Sequence, residues 1–338
     1  MKFINLKKIF SLTALSLALL LTGCSDSDDK AGADDKEKVY ELSLGHEVSQ
    51  SHSWHVTASE FAEAVKEESD GRLDIVIFPD GTLGGATAML EQIQIGDLDM
   101  AITGGPSHAP IVPEMSIQNL PFLYDDREKA YEAVDGELGD LQFGLLKEKG
   151  ILGLAWWEDG FFQVTTNTGP IETPEDLEGV KIRVPEIKLR QDIFKELGAN
   201  PVPMSFTELF TGLQQKAVDG QTNGLNTIYD SNFYEVQDYL SILNITWSPA
   251  VLEIGLDKFN SLPEDLQKIL KDNAIKYRDI QRKRTQEEDT DLIQKLEEKG
   301  MKVNVVDDLT PFIEKSKPVF EKYKDVFGEE LMDLILED

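Results

Sequence analysis

The sequence predicts an α/β protein made of two lobes that a long C-terminal helix connects. Short β-rich runs alternate with amphipathic helical patterns, which is typical of α/β folds. Two segments of this kind share a weak internal sequence repeat, because Ile93-Gln94 and Leu98-Asp99 are matched 120 residues later by Leu213-Gln214 and Val218-Asp219. The third observation is a helical stretch with neither glycine nor proline from Glu264 to Lys299.

The first repeat unit is predicted from apolar periodicity and from turn residues between its elements. Phe78-Pro79-Asp80-Gly81 supplies turn chemistry, Gly96 ends a helical pattern, and Gly104-Gly105-Pro106 forms a loop. The predicted elements are a strand at Tyr40–Gly45, a helix at Ser53–Ser69, a strand at Leu73–Phe78, a helix at Ala86–Ile95 and a strand at Asp99–Thr103.

The second unit begins with a short strand over 180–184, in which apolar residues alternate with Lys181 and Arg183. From these residues alone, Arg183 faces either solvent or a binding cleft. A helix over 187–197 and a strand over 201–204 follow. Ser205-x-x-Glu208 then reads as a capping box that opens a helix closed by Gly220. Two facing lobes of this kind predict a ligand cleft at the strand ends, next to the hinge.

The C-terminal helical stretch changes character in its middle. Its apolar face stops between Gln281 and Asp291 and resumes at Leu292. A single helix of this length would span roughly 50 Å and could pack on both lobes through its two apolar ends. The alternative is a pair of helices joined by a charged turn at 287–289.

The N-terminus predicts export. Three lysines precede an apolar run from Ile9 to Leu21 that is too short to span a membrane. Leu21-Thr22-Gly23-Cys24 resembles a bacterial lipobox, in which the cysteine is lipidated after cleavage. Cys24 is the sole cysteine, so it cannot form an intramolecular disulfide. The alternative is an ordinary cleaved secretory signal with an incidental cysteine.

The proposed domain organisation follows from composition. We expect a signal peptide at 1–23 and a tether at 24–38, which contains small and charged residues. The remaining 300 or so residues exceed one usual core, which favours two lobes. We place lobe I at 39–160 and 250–290 and lobe II at 161–249 and 291–338.

The net charge of −30 argues against several function classes. Export removes three lysines and no acidic residue, which makes the mature chain still more acidic. Such a chain repels phosphate backbones and anionic lipid surfaces, so nucleic-acid binding and charge-driven membrane docking are disfavoured. An anionic ligand would need a strongly positive local site.

Three blocks at a characteristic spacing resemble one family. They are FPDGTLGGATAMLEQIQIGDLDMA, TPEDLEGVKIRVPE and PVPMSFTELFTGLQQKAVDGQTN. They are similar to the solute-binding proteins of tripartite ATP-independent periplasmic (TRAP) transporters. The resemblance implies a periplasmic-binding-protein fold whose hinge strands connect the lobes. It also implies a monomeric receptor without cofactor, which delivers a small organic acid to a membrane permease driven by an ion gradient.

The resemblance implies roles for three residues. Arg183 matches the arginine that clamps the ligand carboxylate, Asn223 the asparagine that donates to the same carboxylate, and Phe206 the aromatic that packs on the ligand skeleton. A guanidinium suits this role because two parallel N–H donors match a carboxylate. Without the resemblance, Asn223 reads as a loop amide and Phe206 as a core residue.

The sequence departs from the family where substrates are selected. Many members carry a second arginine where this chain has Phe162, and some carry glutamate where it has Thr222. A second cationic contact is therefore expected to be missing, with an apolar surface in its place. This favours a monocarboxylate, such as a keto acid, a sugar acid or an acid with an apolar or aromatic tail, over a dicarboxylate. Trp157 is expected to extend the apolar wall, with hinge-core packing as its alternative.

In the first lobe, His46 and Glu47 are expected to bind ligand hydroxyl or keto oxygens. His52-x-x-His55 could suggest a metal, yet no third ligand accompanies it at regular spacing, so no metal is expected. Two alternatives to the receptor are a binding lipoprotein of an ABC importer and a secreted carbohydrate-active enzyme. The adjacent carboxylates Glu158 and Asp159 disfavour the enzyme, because neighbours on an extended segment point to opposite sides.

Overall fold

The computed structural model describes residues 38–336. The compact unit considered below starts at Val39. The predicted signal peptide, the lipidation at Cys24 and all of the predicted tether except Lys38 lie outside the described residues. No helix within the described chain is both long enough and apolar enough to cross a bilayer.

A nine-stranded sheet forms the centre of the fold, in the order β2-β1-β3-β8-β4-β7-β5-β6, with β9 paired to β8. The strands are β1 Tyr40–Gly45, β2 Leu73–Phe78, β3 Met100–Gly104, β4 Ile151–Thr166, β5 Lys181–Val184, β6 Asn200–Pro203, β7 Gly220–Asn223, β8 Tyr239–Gly255 and β9 Lys302–Val305.

Helices cover the sheet. They are α1 Ser53–Glu68, α2 Ala86–Ile95, α3 Arg127–Asp135, α4 Glu137–Glu148, α5 Lys188–Glu196, α6 Phe206–Gln214, α7 Leu225–Asp230, α8 Leu256–Ser261, α9 Glu264–Glu298 and α10 Thr310–Leu336. Short 3₁₀ segments lie at Gly105–His108, Pro113–Asn119, Pro174–Leu177 and Phe233–Glu235.

The predicted repeat is present in the sheet topology. β1 pairs in parallel with β2 and β3, and β5 pairs in parallel with β6 and β7. In both units the first strand therefore lies between the second and the third. β4 and β8 pair antiparallel along most of their length and connect the two units. The expected lobe boundaries at 160/161 and 249/250 fall inside these two strands and stay a prediction.

Most predicted elements agree with the structure to within one or two residues, but two expectations for α6 are wrong, namely its capping box and its end at Gly220. α6 ends at Gln214, and Gly220 is the first residue of β7. α6 begins at Phe206 without a side-chain cap. The Ser205 hydroxyl instead pairs with Thr207 Oγ1 at 2.9 Å, so it does not cap the helix.

The long C-terminal helix is confirmed as a single element, α9. Its first half packs Leu266 and Leu270 into a core with α1 and β1, and its last turns pack Leu292 and Leu296 against α6 and α7. The polar middle is also buried, because Gln281 exchanges hydrogen bonds of 2.8 Å with both backbone groups of Glu158 in β4. Where the apolar face of α9 stops, hydrogen bonds between Gln281 and the backbone of β4 thus replace apolar packing. The two-helix alternative is wrong.

Candidate functional site

A cleft lies where strands from both repeat units end. It contains an inner cavity of about 60 Å³ and an adjoining outer cavity of about 250 Å³. Five residues predicted for the site line the inner cavity, namely Glu47, Phe162, Arg183, Phe206 and Asn223. Glu47 follows β1, and Arg183 and Asn223 lie near the carboxyl ends of β5 and β7, where α/β sheets bind ligands.

Arg183 is 3% exposed and lines both cavities. Its Nε donates to the Met204 carbonyl oxygen at 2.9 Å, and its Cζ lies 5.9 Å from the Phe206 ring centroid. Burial lowers the pKa of Arg183 to about 10, and nearby Glu47 partly opposes this. The guanidinium therefore stays charged at neutral pH. It forms no ion pair within 4.0 Å in the described part of the chain, which leaves it available to an anion.

Asn223 is the last residue of β7 and is 5% exposed. Its Nδ2 donates to Gln221 Oε1 on the same strand, which orients the amide. Phe206 starts α6 and contacts Phe233 edge to face, with ring centroids 6.2 Å apart. The first element of the second repeat unit thus supplies the cation, and later elements supply the amide donor and the aromatic wall.

Glu47 brings an acidic group from the first repeat unit to the cavity. Its Oε2 accepts from the Ala86 backbone N–H at 3.1 Å, at the N-terminus of α2. Burial raises the pKa of Glu47, while Arg183 and this backbone hydrogen bond lower it. The carboxyl is thus fixed by the helix and presented to the same space as Arg183.

Two predicted site residues lie outside the cavity lining. His46 is fully buried and pairs with His55, with His46 Nε2 and His55 Nδ1 3.0 Å apart. Burial lowers the pKa of His46 to about 4, so it is neutral at physiological pH. Trp157 is fully buried in the core that contains Phe61 and Leu252. Its placement matches the hinge-core alternative.

The His52-x-x-His55 pair has other partners. His52 Nδ1 accepts from the Trp54 backbone N–H and caps α1, and Nε2 lies 3.2 Å from Thr227 Oγ1. Within residues 38–336, no group of three or more metal-ligating side chains is arranged to hold an ion.

The expectation of a missing second cation is wrong. Arg190 of α5 lines the inner cavity, and its Cζ lies 4.5 Å from the centroid of Phe162, the residue expected to replace a cation. A sequence signal for Arg190 existed, because it shares the buried helix face with Ile193 and Phe194, at spacings of three and four residues. An arginine on the apolar face of a helix needs a hydrogen-bond partner or an opposite charge in the protein interior.

Asp159 is the second residue that sequence reasoning did not assign to the site. It lines the cavity, and burial raises its pKa to about 7, although Thr227 and Arg190 oppose this shift. Glu158 points the other way, where it accepts hydrogen bonds from Arg127 Nε at 2.7 Å and Trp247 Nε1 at 3.0 Å. The two adjacent carboxyls thus serve different environments and do not form an acid/base couple.

A larger surface groove of about 550 Å³ lies elsewhere, beside the residues that precede β5 and β7. Its lining includes Glu172, Asp176, Glu178 and Asp219, and it contains no basic residue among those described. Like charge disfavours an anion there, so the inner cavity is the candidate site.

The model of "Bacterial extracellular solute-binding protein, family 7" matches residues 44–325. The 2,3-diketo-L-gulonate-binding periplasmic protein YiaO of Escherichia coli (strain K12) is 34% identical over 297 residues, covering 88% of this chain and 87% of YiaO. The fold and site define a periplasmic solute receptor. The chain belongs to family 7 of the bacterial extracellular solute-binding proteins, and it is a receptor of the TRAP type and not an enzyme.

Solved structures agree. The sugar acid binding protein DctPAm from Advenella mimigardefordensis, in complex with galactonate, is similar with a TM-score of 0.87 and 32% identity, over 89% of this chain and 97% of that one. A TRAP periplasmic solute binding protein from Sulfurospirillum deleyianum with bound succinate gives a TM-score of 0.85 and 26% identity, over 88% and 98%. These matches cover both lobes of the predicted fold, so the two-lobed architecture is confirmed.

Proposed function

We propose that this receptor binds a small organic acid through a carboxylate clamp and delivers it to a TRAP-type membrane permease. Arg183 and Asn223 hold the carboxylate, and Phe206 packs on the carbon skeleton. The observation that carries the proposal is the buried Arg183 guanidinium, which faces the cavity without an ion-pair partner among residues 38–336. A buried charge of this kind is stabilised when a ligand carboxylate pairs with it.

A keto or sugar monocarboxylate fits the cavity better than a C4-dicarboxylate. Arg183 can pair with one carboxylate. Arg190 is a second cation in the lining, but Asp159 offsets its charge, and Glu47 adds a further acidic group. A second ligand carboxylate would meet these groups, whereas ligand hydroxyl groups can donate to them. YiaO and DctPAm, which are named for a diketo sugar acid and for sugar acids, support the same preference.

Binding works by closure of the two lobes about β4, β8 and α9. Contacts already cross between the repeat units, since Ser51 Oγ donates to Asp230 Oδ1 at 2.7 Å and His52 meets Thr227. A ligand that touches Arg183 on one side and Glu47 on the other stabilises the closed state by its differential affinity for that state. The closed receptor docks on the permease, and the ion gradient used by the permease drives transport.

The receptor is exported and lipid-anchored at Cys24 on the outer side of the cell membrane. The lipobox-like Leu21–Cys24 segment and the small, charged run that follows it support this anchor. Membrane contact is through the lipid alone, because the chain is strongly acidic. Replacing Cys24 with serine should move the protein from the membrane fraction to the soluble fraction, and no change in fractionation would contradict the anchor.

A thermal-shift screen of residues 25–338 against monocarboxylates, dicarboxylates, sugar acids and neutral sugars tests the ligand class. A ligand at ~100 times its dissociation constant stabilises the folded state by about 2.7 kcal/mol, which gives a shift of several degrees. We expect organic acids to stabilise the protein, with sugar or keto monocarboxylates ahead of succinate. Stabilisation by neutral sugars alone would contradict the carboxylate clamp.

A further inference from the structure

Two side chains of opposite charge, Arg190 and Asp159, line the cavity without contacting each other. Their charges interact through space, since each shifts the pKa of the other. Yet no nitrogen of Arg190 lies within 4.0 Å of an Asp159 oxygen in the described part of the chain. The space between a fixed donor and a fixed acceptor is where a ligand group can bind.

The Arg190 guanidinium is held on two sides. Its Nε donates to Asn119 Oδ1 at 2.9 Å, and its Cζ lies over the Phe162 ring, 4.5 Å from the ring centroid. Asn119 is itself fixed, because its Nδ2 donates to the Trp247 carbonyl oxygen at 2.9 Å. Arg190 is 1% exposed, and its Nη1 has no hydrogen-bond partner among residues 38–336. A buried N–H without an acceptor is costly, so it indicates a missing oxygen.

Asp159 supplies the acceptor. Its Oδ1 accepts from Thr227 Oγ1 at 3.3 Å, and Thr227 is also near His52 Nε2, at 3.2 Å. The Asp159 carboxyl group therefore has oxygen lone pairs left to accept a hydrogen bond from the ligand. Thr227 therefore fixes the carboxyl without occupying all of its acceptor sites.

We infer that Arg190 and Asp159 form a hydroxyl-recognition pair that selects organic acids with a hydroxyl group placed to meet both. A hydroxyl group accepts from Arg190 Nη1 and donates to Asp159, whereas a methylene does neither and a second carboxylate cannot donate. Above about pH 7, where Asp159 is ionised, charge agrees with this assignment, because the ligand carboxylate balances Arg183 and Asp159 balances Arg190. The inference rests on the proposed function, since the clamp at Arg183 positions the rest of the acid.

The test uses two matched series of acids and isothermal titration calorimetry. The six-carbon series is D-galactonate, hexanoate and adipate, and the four-carbon series is D-erythronate, butanoate and succinate. Within each series the chain length is constant, so hydroxyl groups and the second carboxylate are the variables. The wild-type receptor should bind the hydroxy acid at least tenfold more tightly than either relative in at least one series.

Arg190→Gln should lower affinity for that hydroxy acid at least tenfold and change affinity for the plain acid less than threefold. Asp159→Asn leaves the charge of Arg190 unbalanced, so it should raise the affinity for the dicarboxylate relative to the hydroxy acid. Lys195→Gln removes an exposed cation from the same helix and should change nothing. Thermal unfolding without ligand shows whether each variant is folded, and Arg190→Lys replaces Arg190→Gln if the latter is not.

The outcomes separate the two proposals. Equal losses for hydroxy and plain acids in Arg190→Gln, or no loss at all, would overturn the hydroxyl-recognition pair while leaving the clamp intact. Wild-type affinity for the plain acids equal to that for the hydroxy acids would also overturn it. Failure of every acid in both series to bind the wild type would reject both proposals, and unchanged binding in Arg183→Ala would reject the clamp alone.

Discussion

Replacing Arg183 with alanine removes the cation of the proposed clamp. The wild-type side chain is 3% exposed, so water cannot solvate a ligand carboxylate at that position as bulk solvent would. Truncation of one partner of a buried, hydrogen-bonded charge pair costs about 2–5 kcal/mol or more. This corresponds to a loss of affinity of roughly 30-fold to 4,000-fold at 1.4 kcal/mol per factor of ten.

The assay is calorimetric titration of the strongest acid from the ligand screen into wild type and variant. Arg183→Lys should lose less affinity than Arg183→Ala, because an ammonium keeps the charge but lacks the paired donors of a guanidinium. Lys181→Ala is the matched control, since Lys181 is exposed on the same strand and does not line the cavity. Circular dichroism verifies that each variant is folded.

One result would refute this reasoning. If Arg183→Ala is folded and binds the acid with wild-type affinity, the carboxylate does not bind at Arg183. A loss of similar size in Lys181→Ala would show that long-range charge, and not the buried contact, determines affinity.

Three further predictions concern stability. Burial raises the pKa of Asp159 from 3.8 to about 7, so the folded state keeps a proton that the unfolded chain releases. The free energy of unfolding therefore falls as the pH rises through this window. In denaturant titrations, Asp159→Asn should remove about 2 kcal/mol of the stability that the wild type loses between about pH 5 and 7. Burial lowers the pKa of His52 to about 3, so the folded state loses stability as the pH falls below 6.5. His52→Asn keeps the helix cap. In thermal unfolding at acid pH, it should remove up to about 1.4 kcal/mol of the stability that the wild type loses per pH unit. In Gly220→Ala the new Cβ would lie 2.2 Å from the Thr165 carbonyl oxygen, so the free energy of unfolding measured in urea should fall by about 1–3 kcal/mol. Ligand affinity should also fall, because the same strand carries Asn223. An unchanged pH slope in either of the first two variants, or wild-type stability in the third, would contradict the respective argument.

Local patterns predicted the elements that local physics determines. The bounds of β1 and β2 agree with the sequence expectation because period-two apolar runs end there at turn residues. The single helix α9 followed from the absence of glycine and proline over 264–299. The repeat was visible because both units use the same order of strands and helices.

Long-range contacts were beyond local patterns. β4 and β8 are 16 and 17 residues long and pair residues that are 73 (Thr166 and Tyr239) to 104 (Ile151 and Gly255) positions apart, with bulges that change their register. No nearby residue signals such pairing. The buried polar middle of α9 was likewise read as a break in the stripe, because its partners are backbone groups of β4.

The site was predicted in part. Arg183, Asn223, Phe206, Phe162 and Glu47 line one cavity, and the family resemblance supplied most of these roles. Arg190 and Asp159 were missed, since their place in the cavity depends on how α5 packs beside β4. The sequence shows each of them as a charged residue within an apolar or aromatic segment. It does not show which way the side chain points.

The most direct test of the central claim is a crystal structure of the receptor with the strongest acid from the ligand screen. Our account predicts one ligand carboxylate with its oxygens about 3 Å from the terminal nitrogens of Arg183 and from Asn223 Nδ2. A carboxylate bound away from both residues, or a bound ligand without a carboxylate in the cavity, would contradict it.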